Sequence, residues 1–127
     1  MTNSLLSIAV TVISTCACVG QNSPLACNLK AFTPEERQEW RSRIDQFKSA
    51  VTSWQELRDG YRFRLDPARA PLAHLGRWVD LERKCCPFLD FQLDLHGEDG
   101  SVWLTLKGRE GVKQFIHLDF SLDKLQH

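Results

Sequence analysis

A single α+β domain, with a four-stranded sheet and helices laid mainly on one face, is the architecture that the residue pattern predicts. Three observations carry it. Trp40, Ile44 and Phe47 step by four and three, the period of an amphipathic helix. Leu89, Phe91, Leu93 and Leu95 alternate with Asp90, Gln92, Asp94 and His96, the period of a strand. After Gly97-Glu98-Asp99-Gly100 the alternation returns in Val102, Leu104 and Leu106, which makes a hairpin. At 127 residues the chain is long enough for one such domain and short for two.

The expected order is β-α-β-α-β-β-α. Pro24 to Phe32 reads as a first strand, with Leu25, Cys27, Leu29 and Ala31 on its apolar side. Thr33-Pro34-Glu35-Glu36 then opens a helix: Thr33 caps, Pro34 suits the first helical position, and Glu36 completes a capping box. The stripe Trp40, Ile44, Phe47, Val51, Trp54 carries that helix to about Leu57, where Asp59-Gly60 ends it. Tyr61, Phe63 and Leu65 form the next strand, with Arg62 and Arg64 on its other side, open to an anion or to solvent. Asp66-Pro67 breaks the strand, and Pro71 starts a second helix along Leu72, Leu75, Val79, Glu82 and Cys86, flanked by Trp78, Leu81 and Cys85. The hairpin follows, and a short helix from about Gly111 turns Val112, Phe115 and Ile116 inward. The domain is expected to span residues 24–118, with residues 119–127 as a tail.

Charge excludes one broad class. Sixteen basic and sixteen acidic residues cancel, and no basic run or stacking motif is present, so binding to nucleic-acid phosphates is not expected. Four tryptophans and seven phenylalanines supply the bulk for a core. No Gly-rich phosphate loop, Ser/His/Asp order or metalloprotease helix points to an enzyme class, and no catalytic residue is assigned.

Residues 1–20 differ from the rest. Leu5 to Gly20 is apolar or small throughout, and the first charged side chain is Lys30. The run is short for a membrane span and near the length of a signal-peptide core, although a positive start is missing. Cleavage after Ala17 or Gly20 fits, and Ser14-Thr15-Cys16-Ala17-Cys18 weakly matches a lipid-attachment box with Cys18 as the acylated residue. The expectation is export or attachment to the cell envelope, with any membrane contact through the leader or that anchor. The alternative is a buried strand or a misplaced start in a cytoplasmic protein.

The chemistry concentrates in Glu82-Arg83-Lys84-Cys85-Cys86-Pro87-Phe88. Removal of a leader would leave Cys27, Cys85 and Cys86, an odd set that cannot all pair within one chain, although a Cys27 bridge to either of the others would leave one free. Thiolates select soft ions such as Zn, Cu(I) and Hg(II). Cys85 and Cys86 would supply one or two ligands, Cys27 a third if its strand packs beside the end of the second helix, and Glu82 a fourth ligand or the acceptor of a released proton. Sulfurs about 4 Å apart or closer suit a shared ion. Glu82 stands where the helical period asks for an apolar residue, so it needs a partner or a shifted pKa. Arg62, Arg64 and Arg77 are the candidate partners. Two readings compete with metal binding. One is a structural or partner-binding module in which the cysteines only pack. The other is a thiol-dependent redox enzyme, disfavoured because the pair sits at a helix C-terminus, where the dipole opposes a thiolate.

Ala26-Cys27-Asn28-Leu29, Asp59-Gly60-Tyr61, Leu81 to Phe88, and Leu106 to Phe115 together resemble a family of small uncharacterised bacterial proteins. The resemblance spans Pro24 to Phe115, and ACNL and ERKCCPF are its specific parts. It implies shared use of Cys27, Glu82, Cys85 and Cys86, and no activity.

Overall fold

A computed structural model describes residues 24–125. It is α+β, with helices α1 (Pro34–Ala50), α2 (Leu72–Cys85) and α3 (Val112–Asp119). Strands β1 (Val51–Glu56), β2 (Gly60–Leu65), β3 (Asp90–Leu95) and β4 (Val102–Lys107) form one antiparallel sheet in the order β1-β2-β4-β3. Short 3-10 turns at Leu29–Ala31 and Leu122–Lys124 flank them.

The sheet has four strands, as expected, but one of them lies elsewhere. Residues 24–32 make no strand. Leu25, Cys27 and Leu29 do turn inward while Pro24, Ala26, Asn28 and Lys30 stay exposed. The alternation is therefore real; what the segment lacks, among the described residues, is a neighbouring strand to pair with, and it ends in a 3-10 turn instead. The fourth strand is β1, in residues expected to be helical. Val51, Thr52 and Ser53 are poor helix formers, and Val51 takes an extended conformation as the cap of α1. A bulge between Val51 and Ser53 puts Val51 opposite Leu65 and Trp54 opposite Phe63. Leu65 and Phe63 are both buried, so Val51 and Trp54 share a face at a spacing of three. That bulge imitates a helical period.

The start of α1 is as expected: Thr33 Oγ1 accepts from the Glu36 amide, and the Glu36 carboxylate accepts from the Thr33 amide. Gly60 serves a different purpose from the helix stop expected of it. It lies within β2 opposite Lys107, where a Cβ would collide with the Leu106 carbonyl and stand 2.7 Å from Lys107 Cα.

Four rings fasten the helices to the sheet. Phe47 of α1 stacks on Trp78 of α2 at 4.6 Å, and Phe63 of β2 meets Phe47 edge-on at 5.5 Å. Phe120 approaches Trp78 and Phe47 edge-on at 6.1 and 5.9 Å. Phe120 and Leu122 are fully buried, so residues that read as a tail close the core. On α2 the buried side is Leu75, Trp78, Leu81, Glu82 and Cys85, while Leu72 is exposed and Val79 half-buried. The stripe is rotated toward Trp78 because the partner rings lie there.

The opposite face of the sheet is polar. Arg62 lies 4.0 Å over the Trp103 ring and Arg64 5.8 Å from it, a cation–π pair across neighbouring strands. Among the described residues no helix is long and apolar enough to cross a membrane. The leader and Cys18 lie outside the described residues.

Candidate metal centre

Helix α2 ends where it does because residue 87 is proline. The ring of a proline disfavours a helical conformation in the residue before it. Cys86 accordingly takes φ −126°, ψ 69°, and its amide still bonds to the Glu82 carbonyl at 2.8 Å. Cys85 keeps helical geometry. Leaving the helix at the second cysteine swings the two thiols toward each other, and their sulfurs stand 3.5 Å apart. Adjacent residues converge here because the backbone bends between them.

Cys27 arrives from the other side of the helix end. The Asn28 amide donates to the Cys85 carbonyl at 2.9 Å, one of the helix-terminal carbonyls that α2 itself cannot satisfy. Arg37 Nη2 donates to the Leu29 carbonyl at 3.1 Å, so the segment is tied to both α2 and α1, while Asn28 Oδ1 accepts from the Lys30 amide at 3.2 Å within it. The outcome is a cluster: the sulfurs of Cys27, Cys85 and Cys86 lie within 4.8 Å of one another. All three are free thiols. Three Zn–S bonds of about 2.3 Å ask for sulfurs about 3.8 Å apart, so the cluster needs only a small contraction around an ion.

The three thiols titrate as a unit. Hydrogen bonds from Cys85 and then Cys86 hold Cys27 well below the ordinary thiol range, against the effect of its burial. The same bonds push Cys85 and Cys86 up. One proton leaves readily and the other two are retained until something positive arrives.

Access is one-sided. Cys85 and Cys86 are fully buried, whereas Cys27 is half-buried. A cavity of about 360 Å³ opens beside them, lined by Pro24, Ala26, Cys27, Asn28, Lys84, Cys85 and Pro87. Lys84 at its rim is paired with Glu36 of α1.

Glu82 is fully buried and none of the three candidate arginines reaches it. Arg77 pairs with Glu39, and Arg62 and Arg64 lie along Trp103. The partner is Trp40, whose Nε1 donates to Oε2 at 2.6 Å. Oε1 has no hydrogen-bond partner. Burial pushes the carboxyl up to about 7, with the Trp40 bond, and a lesser one from Cys86, pulling the other way. Asp119, at the end of α3, is also raised, by burial and by the negative charge of Cys27.

All four candidate residues thus gather at the end of α2, the three sulfurs within ligand distance and Glu82 one turn behind. Trp40, the Asn28 amide and Asp119 were not foreseen. Trp40 could have been found: an indole N–H on a core-facing stripe needs an acceptor, and the off-pattern glutamate needs a donor. His74, His96 and His117 bond to Gln46, Ser101 and Tyr61, and among the described residues no imidazole belongs to the thiol cluster. No protein-family model matches the chain, and neither does any curated protein or solved structure.

Proposed function

We propose that this protein binds a soft metal ion, or a thiol-reactive ligand of the same kind, through Cys27, Cys85 and Cys86, with Glu82 as supporting carboxylate. The observation that carries the reading is the convergence of three free sulfurs within 4.8 Å at a helix C-terminus. The negative end of the helix dipole favours a cation and opposes a lone thiolate. The ligand set is sulfur only, which favours Cu(I) and Hg(II); Zn needs a fourth donor. Water from the cavity would supply it, since the Glu82 carboxylate does not belong to the set of ligand atoms within 4.8 Å of one another. Ion binding releases thiol protons, and Glu82, which takes a bond from Cys86, is a group able to accept one. The envelope is the proposed location, on the strength of the apolar leader.

Native mass spectrometry of the reduced protein with Zn, Cu(I) or Hg(II) tests this. One ion per chain is expected, lost when all three cysteines become serine. Absence of binding at micromolar metal, with the triple variant altered only in stability, overturns it. A second reading has its own observation: the lowered pKa of Cys27 beside an open cavity suits a nucleophilic thiol. It requires that Cys27→Ser abolish reaction with an electrophile while Cys85→Ser and Cys86→Ser retain it.

A further inference from the structure

The two edges of the sheet are built differently. β1 carries a bulge at its first residues, a common way of making an edge unfit for further pairing. β3 pairs with β4 without interruption from Asp90↔Lys107 to Leu95↔Val102 and contains neither lysine nor proline. Its outer side is an unprotected template.

The helices do not reach over it. Leu93 and Leu95 point to the helix side of the sheet, yet are 41% and 54% exposed. A groove lined by Val79, Arg83, Pro87, Leu89, Asp90 and Phe91 lies between α2 and the start of β3. Leu93 and Leu95 share a face with Phe91, as the alternation predicts, but the core ends before them.

The hydrogen-bond phase of β3 is set by its hairpin. The His96 amide bonds to the Ser101 carbonyl at 2.9 Å. Bonded pairs alternate along an antiparallel ladder, so Asp94, Gln92 and Asp90 also spend their amides on β4. The N–H and C=O groups of Phe91, Leu93 and Leu95 are the ones turned to the free edge.

We infer that β3 is a homodimer edge: two copies pair their β3 strands antiparallel about a two-fold axis at Leu93, giving an eight-stranded sheet. Charge complementarity with a second copy narrows the register, and a centre near the middle of β3 pairs the most of that strand. Centred on Leu93, the pairing sets Asp90 of one copy opposite His96 of the other and Asp94 opposite Gln92. A centre at Gln92 would place Asp90 against Asp94, and a centre at Asp94 would place that residue against itself; both oppose like charges. The favoured centre is also a residue whose backbone groups point outward. Leu93 then meets Leu93, and Leu95 meets Phe91. A chain with equal numbers of acidic and basic residues offers no net repulsion to its own copy.

Sedimentation velocity of the full reduced chain at micromolar concentration tests the dimer, combined with amide hydrogen exchange. The expected mass is twice 14.6 kDa, with slow exchange at Leu93. Leu93→Pro removes an outward N–H and spares the β4 ladder; Leu95→Lys places a charge on the exposed leucine pair. Both are expected to restore the single-chain mass. Single-chain mass in the wild type overturns the proposal, including the case where Leu93 is protected by another segment of the same chain. A dimer that survives both variants, or exchanges rapidly at Leu93, overturns it as well. The measurement involves no metal, so its outcome is independent of the thiol site.

Discussion

The amide of Asn28 donates to the carbonyl of Cys85 at 2.9 Å, and that bond brings a sulfur from the start of the domain to the end of α2. It joins residues far apart in the chain through a carbonyl that the helix leaves unsatisfied. The metal reading depends on it, and several consequences can be measured.

Removing the clamp should weaken binding without unfolding the domain. Asn28→Pro deletes the donor and leaves the carbonyl of Cys85 unpaired. A lost hydrogen bond of about 1 kcal/mol corresponds to a loss of roughly five- to tenfold in affinity for a site that needs Cys27 in place. Competition against a chromophoric chelator reads the affinity, and far-ultraviolet circular dichroism should be unchanged.

Glu82 should make the fold less stable as pH rises. Its folded pKa, about 7, lies above the unfolded value of 4.5. The stabilising difference is fully present below the unfolded pKa and is lost as pH climbs through the folded one. The loss amounts to about 3 kcal/mol between pH 4 and 8. Urea unfolding at both pH values should show that slope in a Cys27→Ser background, where the low thiol titration is absent. Glu82→Gln in the same background should remove it.

Trp40→Phe tests the other half of that pair. The ring remains apolar, but Oε2 of Glu82 loses its donor. The carboxylate form suffers more than the acid, so the variant should lose about 1–3 kcal/mol at pH 8 and less at pH 5. Equal losses at both values would mean that the indole only packs.

Thiol reactivity should be ordered. Cys27 combines partial exposure with a lowered pKa, while Cys85 and Cys86 are buried and raised. Timed iodoacetamide labelling with peptide mapping should modify Cys27 first, with the other two reacting only on unfolding. A bound ion should protect all three together.

Gly60→Ala should be among the most damaging small substitutions. The added methyl collides with the β4 backbone, which cannot yield as a flexible side chain would. A loss of about 2 kcal/mol or more is expected in thermal or denaturant unfolding.

The residues themselves determined the α+β class, the start of α1, the β3–β4 hairpin and the four candidate ligands. Each rests on a local rule: a capping box, a period of two, a proline that stops a helix, an acid out of pattern. What tertiary structure decided is whatever depends on a distant neighbour. Residues 24–32 alternate like a strand, but a strand exists only if another lies alongside, and among the described residues none does. Val51 and Trp54 look helical because a bulge, defined by pairing with β2, reproduces the spacing of three. Phe120 and Leu122 became core when the Phe47–Trp78 stack offered them a surface. The sulfurs met for the same reason. A sequence states which side of its own segment Cys27 occupies; only the packing of that segment on a helix end, through one otherwise unsatisfied carbonyl, sets its distance from Cys85 and Cys86.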